Sequence, residues 1–217
     1  MDYSFHIYNK MAADGAAMAL EKLLKADFIR MHRANKQGKI TDFSPLDEDE
    51  ELASNAPPVV VCIGSDLSIG DSLGPITGSL LRYKTQGVPF YLYGTLAAPV
   101  TAKEISYMRT FLKETHPSSQ VIAVDAAVGN KGDIGLIRVS DTPLRPGAGA
   151  DKQLGEIGDL TVMGIVAEKS LQNYGFLNTT RLNLVYTMSE LISEALSSLL
   201  WERCSRPKCK GNLAENG

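Results

Sequence analysis

Cysteines, histidines and long apolar runs are scarce in this sequence, and each shortage excludes a class of protein. Three cysteines in 217 residues are too few for a disulfide scaffold, and a chain of this length buries about 70% of its unfolded surface without one. No apolar run reaches the roughly 18 residues that a membrane-spanning helix needs. Residues 1–10 also lack the basic start and apolar core of a signal peptide, so we expect a cytoplasmic protein.

An excess of one charge is also missing, since 22 Lys and Arg stand against 25 Asp and Glu. The run Asp-Glu-Asp-Glu-Glu at residues 47–51 supplies five of the negative charges, so the rest of the chain is nearly neutral. Such a run is typical of a solvated linker. Nothing in the charge predicts a nucleic-acid partner.

The chain divides into three segments that differ in composition and in hydrophobic periodicity. Residues 1–56 are predicted to be an N-terminal extension, with a helix over residues 12–33 and an acidic linker over residues 38–58. Residues 57–203 are predicted to form an α/β domain. Residues 204–217 lack periodicity and are predicted to be a flexible tail.

Short apolar runs alternate with segments of helical period in the predicted domain. Strands are predicted at residues 59–63, 90–93, 121–124, 134–139 and 160–166, and helices at 73–83, 102–114 and 180–201. Cys62 lies inside the first run and is predicted to be a core residue. Alternating strands and helices predict right-handed crossovers and a mostly parallel sheet with helices on both faces.

Polar residues cluster where three predicted strands end. The loop at residues 64–75 carries Asp66 and Asp71, the loop at residues 94–99 begins with Gly94 and Thr95, and Asp125 directly follows the apolar run of the third strand. Ligands bind outside the carboxyl ends of strands in open parallel sheets. We therefore predict a site at this rim, with Asp71 and Asp125 as its chemical groups and Asp66 as a substrate-binding residue.

Two neighbouring carboxyl groups cannot both ionise easily, so one becomes an acid and the other a base. Such a pair can activate water and protonate a leaving amine. Backbone amides around Gly64 and Ser65, or around Gly94 and Thr95, would stabilise an oxyanion. The structural alternative is that Asp71 caps the following helix and Asp125 hydrogen-bonds loop amides.

Other kinds of site are less well supported. The glycines at 64, 70 and 74 match neither a dinucleotide fingerprint nor a P-loop. No histidine is placed to serve as the base for a serine or cysteine nucleophile, and two aspartates without histidine would suit only a hard cation. A Gly- and Pro-rich loop over residues 140–152 carries Arg145, which is a candidate for substrate contact, while a structural turn is the alternative.

Several ordered motifs resemble those of the YyaC-type sporulation proteins of spore-forming bacteria. They lie at residues 62–75, 93–100, 123–126, 146–149, 164–166 and 178–185. This family is in turn similar to the germination protease of bacterial spores and, more distantly, to the hydrogenase-maturation endopeptidases. The resemblance implies the fold they share, a three-layer α/β/α sandwich around a mostly parallel central sheet.

The resemblance also implies an activity. The germination protease is an aspartic-type endopeptidase that acts on small acid-soluble spore proteins, and the motifs of its two essential aspartates match those around Asp71 and Asp125. Gly70 departs from that pattern, since the protease has Pro there. The hydrogenase-maturation enzymes bind metal through Glu, Asp and His, and no His of this chain matches the third position.

We therefore predict a cofactor-free endopeptidase with a peptide or protein substrate, in the sporulating cell or the spore interior. A non-catalytic peptide-binding protein of the same fold and a metal-dependent hydrolase are the alternatives. The sequence is compatible with a homo-oligomer.

Overall fold

The computed structural model describes residues 1–35, 56–146, 155–169 and 180–205. The acidic run at residues 47–51, part of the loop at 140–152 and most of the predicted tail lie outside these ranges. No helix within the described ranges is both long and apolar enough to cross a membrane.

The described strands form one sheet at the centre of the molecule. They are β1 (Asp2–His6), β2 (Val59–Cys62), β3 (Tyr91–Tyr93), β4 (Val121–Gly129), β5 (Leu136–Ser140) and β6 (Leu160–Glu168). Their order across the sheet is β1-β5-β6-β4-β2-β3. The pairs β3–β2, β2–β4 and β4–β6 are parallel, and β5 runs antiparallel to both β6 and β1. The prediction of a mostly parallel sheet is confirmed.

Four helices of the described residues pack against the two faces of this sheet. They are α1 (Ala12–Asn35), α2 (Leu73–Lys84), α3 (Ile105–Thr115) and α4 (Leu182–Ser205). Helices α1, α2 and α4 share one core with Val60, Cys62, Ile122 and Val124. Helix α3 packs on Val59, Val61, Val121 and Ala123. We call these the three-helix face and the one-helix face, and together they confirm the α/β/α sandwich.

Side-chain alternation assigns each strand residue to its face, because successive residues of a strand point to opposite sides. The four residues of β2 are all buried, since both of its faces are covered. Cys62 is fully buried among apolar neighbours, which confirms its prediction as a core residue.

Two parts of the sheet differ from the sequence-based expectation. Strand β4 was predicted to end at Val124, but it continues to Gly129 because its pairing with β6 runs through Asp125 and beyond. Strand β1 was not predicted, although residues 2–6 alternate polar and apolar side chains. Tyr3 and Phe5 pack against the core of the three-helix face, so the N-terminal residues contribute to the same core as the rest of the sheet.

Candidate active site

The connection from β2 to α2 positions Asp71. A short 3-10 turn at Gly70–Ser72 leads directly into α2. Asp71 is half-buried in that turn, and its carboxyl group accepts a hydrogen bond from the backbone N–H of Ser65. Helix α2 is capped at Ser72 without a side-chain hydrogen bond, so Asp71 is not its capping residue.

Glycine at position 64 allows this connection to fold back tightly. Gly64 has φ +137, and a Cβ atom there would lie 2.0 Å from the carbonyl oxygen of Asp71. A side chain would therefore collide with the backbone of the turn that carries the carboxyl group. The N–H of Ser65 also donates to that same carbonyl, at 3.2 Å, which fixes the turn against the end of β2.

Asp125 lies within β4 and not after its end, which corrects the prediction that it emerges from the strand terminus. By alternation its side chain is on the one-helix face, together with those of Val121 and Ala123. Its side chain is only 9% exposed, and its Oδ1 accepts a hydrogen bond of 2.8 Å from the N–H of Ala126. The carboxyl group is therefore attached to a buried part of the strand.

The two carboxyl groups are close enough to influence each other's ionisation. Burial raises the pKa of Asp125 well above its usual range, and the neighbouring charge of Asp71 raises that pKa further. Burial also raises the pKa of Asp71, but the hydrogen bond from Ser65 counteracts this. Asp71 is the more exposed of the two and ionises first, and its charge then holds the proton on Asp125.

Most of the other predicted residues at the rim form hydrogen bonds within or between the loops. Gly64 N–H donates to the carbonyl of Val100 at 3.0 Å, and this bond joins the loops that follow β2 and β3. Thr95 is buried and exchanges two backbone hydrogen bonds with Ala98, of 3.1 and 3.2 Å. The amides of Gly64, Ser65 and Thr95, predicted to bind an oxyanion, thus have partners within the chain. Asp66, predicted to bind substrate, is exposed in its loop.

Gly94 ends β3 in a conformation that no other residue type could adopt there without strain. Its φ is +88, and a Cβ atom would lie 1.8 Å from the carbonyl oxygen of Cys62. Its own carbonyl oxygen approaches Gly78 of α2, where a Cβ would lie 2.0 Å from it. The observed role of Gly94 is therefore close packing of β3 against β2 and α2.

Arg145 lies on the one-helix face, beyond β6 from the aspartates. It is exposed and pairs with Glu156, with its Nε and a terminal nitrogen at 2.9 and 2.6 Å from Oε1. The two residues flank a backbone bridge between Leu144 and Ile157. Arg145 therefore contributes to a neighbouring part of the same face and does not contact the carboxyl pair directly.

One of the three serines near the rim, which the sequence supports only weakly as nucleophiles, stands out in the structure. The hydroxyl group of Ser68, in the loop before Asp71, is buried and is the one such atom without a hydrogen-bond partner in the described part of the chain. Buried polar atoms of native proteins nearly always have partners, which include bound water or ligand. Serines at 65, 68 and 72 look alike in sequence, so no pattern distinguishes this one.

The donors around the pair are carboxylates without histidine support. The described residues contain no group of three or more His, Cys, Asp or Glu side chains that could hold a metal ion. His116 bonds the hydroxyl of Tyr93 at 2.7 Å and stacks near Tyr91, and His6 lies beside Gly135. Asp71 and Asp125 alone offer two ligands for a hard cation, too few to fix one without substrate or water.

The fold and the site define the class as a three-layer α/β/α protein in which the half-buried Asp71 and the buried Asp125 lie beside the carboxyl end of β2. A family model described as a protein of unknown function, DUF1256, matches residues 32–195. The chain belongs to this family. The matched region contains both aspartates and every described strand except β1.

A bacterial protein and a solved structure are among the proteins to which this chain is similar. The uncharacterized protein YyaC of Bacillus subtilis (strain 168) is 44% identical over 145 residues, which are 67% of this chain and 70% of YyaC. The crystal structure of a NiFe hydrogenase maturation protease, HycI from Thermococcus kodakarensis KOD1, is similar with a TM-score of 0.45 and 14% identity. That similarity covers 67% of this chain and 93% of HycI.

Proposed function

We propose that this protein is an endopeptidase in which Asp71 and Asp125 activate water for peptide-bond hydrolysis. The observation that carries the proposal is the asymmetric pair itself. One carboxyl group is half-exposed and ionises first, and its neighbour is buried and keeps its proton. Two carboxyl groups whose environments separate their pKa values are the usual arrangement for paired acid and base catalysis.

The two residues take different roles in this mechanism. The Asp71 carboxylate removes a proton from water, and the resulting hydroxide oxygen bonds to the carbonyl carbon of the peptide. The carbon–nitrogen bond then breaks as Asp125 gives its proton to the leaving nitrogen. Asp71 holds the proton from water at the end of the step, and its return to Asp125 restores the starting state. Activity should therefore rise as Asp71 ionises and fall as Asp125 loses its proton.

The substrate class and compartment come from the resemblance to the spore germination protease. On that basis the substrates are small acid-soluble spore proteins, and the enzyme acts in the sporulating cell or the spore interior. The membership of the DUF1256 family and the identity with YyaC support a role shared with that relative.

The test is incubation of the full-length protein with small acid-soluble spore proteins, with and without a chelator, followed by intact-mass spectrometry. We expect discrete cleavage that the chelator spares. Asp125→Asn and Asp71→Asn should each lower the rate by about 10²- to 10⁴-fold, the usual contribution of one acid–base group. Asp66→Asn is the matched control, since this exposed aspartate lies in the same loop as Asp71.

Three results would each contradict the proposal in a different way. Cleavage that survives both Asn substitutions would reject the aspartate pair. Cleavage abolished by the chelator and restored by a divalent cation would establish a metal-dependent hydrolase. Binding of the spore protein without cleavage, unchanged in both variants, would indicate a non-catalytic peptide-binding protein.

A further inference from the structure

A cavity opens on the one-helix face next to the aspartate pair, where none of the described helices covers β6 and β5. Its volume is about 520 Å³, within the range of roughly 300–1,000 Å³ that is usual for ligand pockets. Thr161 and Met163 of β6 form its floor, Pro143 and Leu144 form a wall, and Arg145 and Glu156 stand at its edge.

The register of the sheet connects this cavity to the site. Met163 is the direct partner of Asp125 in the β4–β6 pairing. Neighbouring strands lie about 4.8 Å apart, and paired residues point to the same face. The floor of the cavity therefore begins at Met163, one strand away from Asp125.

The cavity is built from fixed parts. Leu144 and Ile157 exchange two backbone hydrogen bonds of 2.9 Å, and both side chains are buried. The hydroxyl of Thr161 donates to the carbonyl of Thr142 at 2.6 Å. An occupant of the cavity therefore does not need to supply an acceptor for it. Apolar groups of Pro143, Leu144 and Met163 remain as the surface that an occupant would contact.

We propose that this cavity is the specificity pocket of the enzyme and binds an aliphatic side chain of the peptide substrate, next to the bond that is cleaved. The proposal rests on the proposed peptidase function. An apolar side chain suits apolar walls, and the Arg145–Glu156 pair at the edge offers donors and an acceptor to the polar main chain of the same peptide. Met163 is the specificity-determining residue, since it lines the cavity at the position paired with Asp125.

The first arm of the test reads binding without any need for catalysis. The full-length protein is labelled at its seven methionine methyl groups, and the Met163 signal is assigned by its loss in Met163→Leu. Titration with N-acetyl-leucine amide should shift the Met163 signal saturably, and N-acetyl-glycine amide should leave it unmoved. Met18, which is 72% exposed on α1, is the internal control and should not respond. An unmoved Met163 signal, or equal shifts with both probes, would overturn the pocket.

The second arm reads specificity by cleavage. Peptides that differ only in one residue beside the cleaved bond are compared in the wild type, Met163→Trp and the control Met18→Trp. The tryptophan at 163 should lower kcat/KM at least tenfold for Leu peptides and less than twofold for Ala peptides, with Met18→Trp unchanged. An equal loss for both peptides would overturn the assignment of Met163. Absence of cleavage by the wild type would instead contradict the peptidase function, and the methyl titration would still decide the pocket.

Discussion

The two faces of the sheet are packed to different degrees, as two adjacent residues of β6 illustrate. Gly164 belongs to the three-helix face, and a Cβ atom there would lie 2.4 Å from the side chain of Leu73 and 3.1 Å from that of Met188. Met163 belongs to the one-helix face, is only partly buried and borders a cavity of about 520 Å³. Protein interiors leave few voids larger than a water molecule.

This difference indicates that the two faces serve different purposes. The three-helix face holds the structure together, because three helices and the apolar side chains of β2 and β4 share one core there. The one-helix face leaves space beside a buried carboxyl group. The proposed hydrolysis of a peptide would need such space, and both the Asp125 side chain and the cavity are on this face.

Of the substitutions considered, Gly94→Ala should disturb the close packing on the three-helix face most strongly. Replacement by Ala would place Cβ 1.8 Å from the carbonyl oxygen of Cys62, which is backbone and cannot move aside. We expect Gly94→Ala to lower the free energy of unfolding by more than about 4 kcal/mol, a loss seen only for specific structural damage. Urea unfolding of the purified protein measures it.

Gly87→Ala separates the clash from the backbone conformation. Gly87 has a similar φ of +84, but a Cβ atom there would meet nothing within 4 Å. Its substitution should cost only the roughly 1–2 kcal/mol of a left-handed non-glycine residue. If the two variants lost equal amounts of unfolding free energy, the clash with the carbonyl oxygen of Cys62 would not be the cause of the loss in Gly94→Ala.

The same comparison can be made with two methionines on opposite sides of β6. Met188 is fully buried on the three-helix face, and Met188→Ala should lower the free energy of unfolding by about 2–5 kcal/mol. Met163→Ala should cost under about 1 kcal/mol, because its side chain already borders a cavity and little new void is created. Thermal or urea unfolding of both variants tests this. Similar losses would mean that the one-helix face is packed as tightly as the other.

The buried acid on the one-helix face should make stability depend on pH. The folded pKa of Asp125 is raised above its unfolded value of about 3.9, so the native state keeps a proton that the unfolded state releases. Its contribution is fully present below that value and is lost as the pH rises through the folded pKa, at about 1.4 kcal/mol per pH unit. Unfolding measured in urea between pH 4 and pH 8 should show this slope.

Asp125→Asn removes the titrating group and should flatten that slope. The stability of the variant relative to the wild type should therefore increase as the pH rises. Asp66→Asn, in the exposed loop, should follow the wild type at every pH. Parallel curves for wild type and Asp125→Asn would show that Asp125 ionises as readily in the native protein as in the unfolded chain.

Much of this arrangement could be predicted from the sequence, because strand and helix periods reveal the alternating architecture. The pairing of Asp71 with Asp125 follows from their positions near the ends of neighbouring strands. The true end of β4 could not be predicted, since Ala126 and Ala127 suit a loop or a strand and only the partner β6 decides. The short alternating run of β1 becomes a strand because β5 offers an edge to it.

The cavity could not be predicted from the sequence either, because it also depends on pairing between distant strands. Met163 becomes a neighbour of Asp125 only through the register of two strands that are far apart in the chain. Arg145 was selected from the chemistry of its loop, but its position depends on the bridge between Leu144 and Ile157. Long-range pairing thus determines which side chains share a face.

The smallest expected effect concerns the pair at the edge of the cavity. Arg145 and Glu156 have side chains that are 78% and 48% exposed, so water screens their attraction. Arg145→Gln should therefore change the free energy of unfolding by no more than about 0.5 kcal/mol, in line with exposed ion pairs generally.

If the edge contacts the peptide main chain, the same substitution should raise KM for the spore-protein substrate with kcat nearly unchanged, because it removes binding common to ground and transition states. Lys84→Gln, which removes the ion pair with Glu194 on α4, is the control and should leave KM unchanged. A loss of stability well above 1 kcal/mol in Arg145→Gln would assign that residue to holding the wall of the cavity in place.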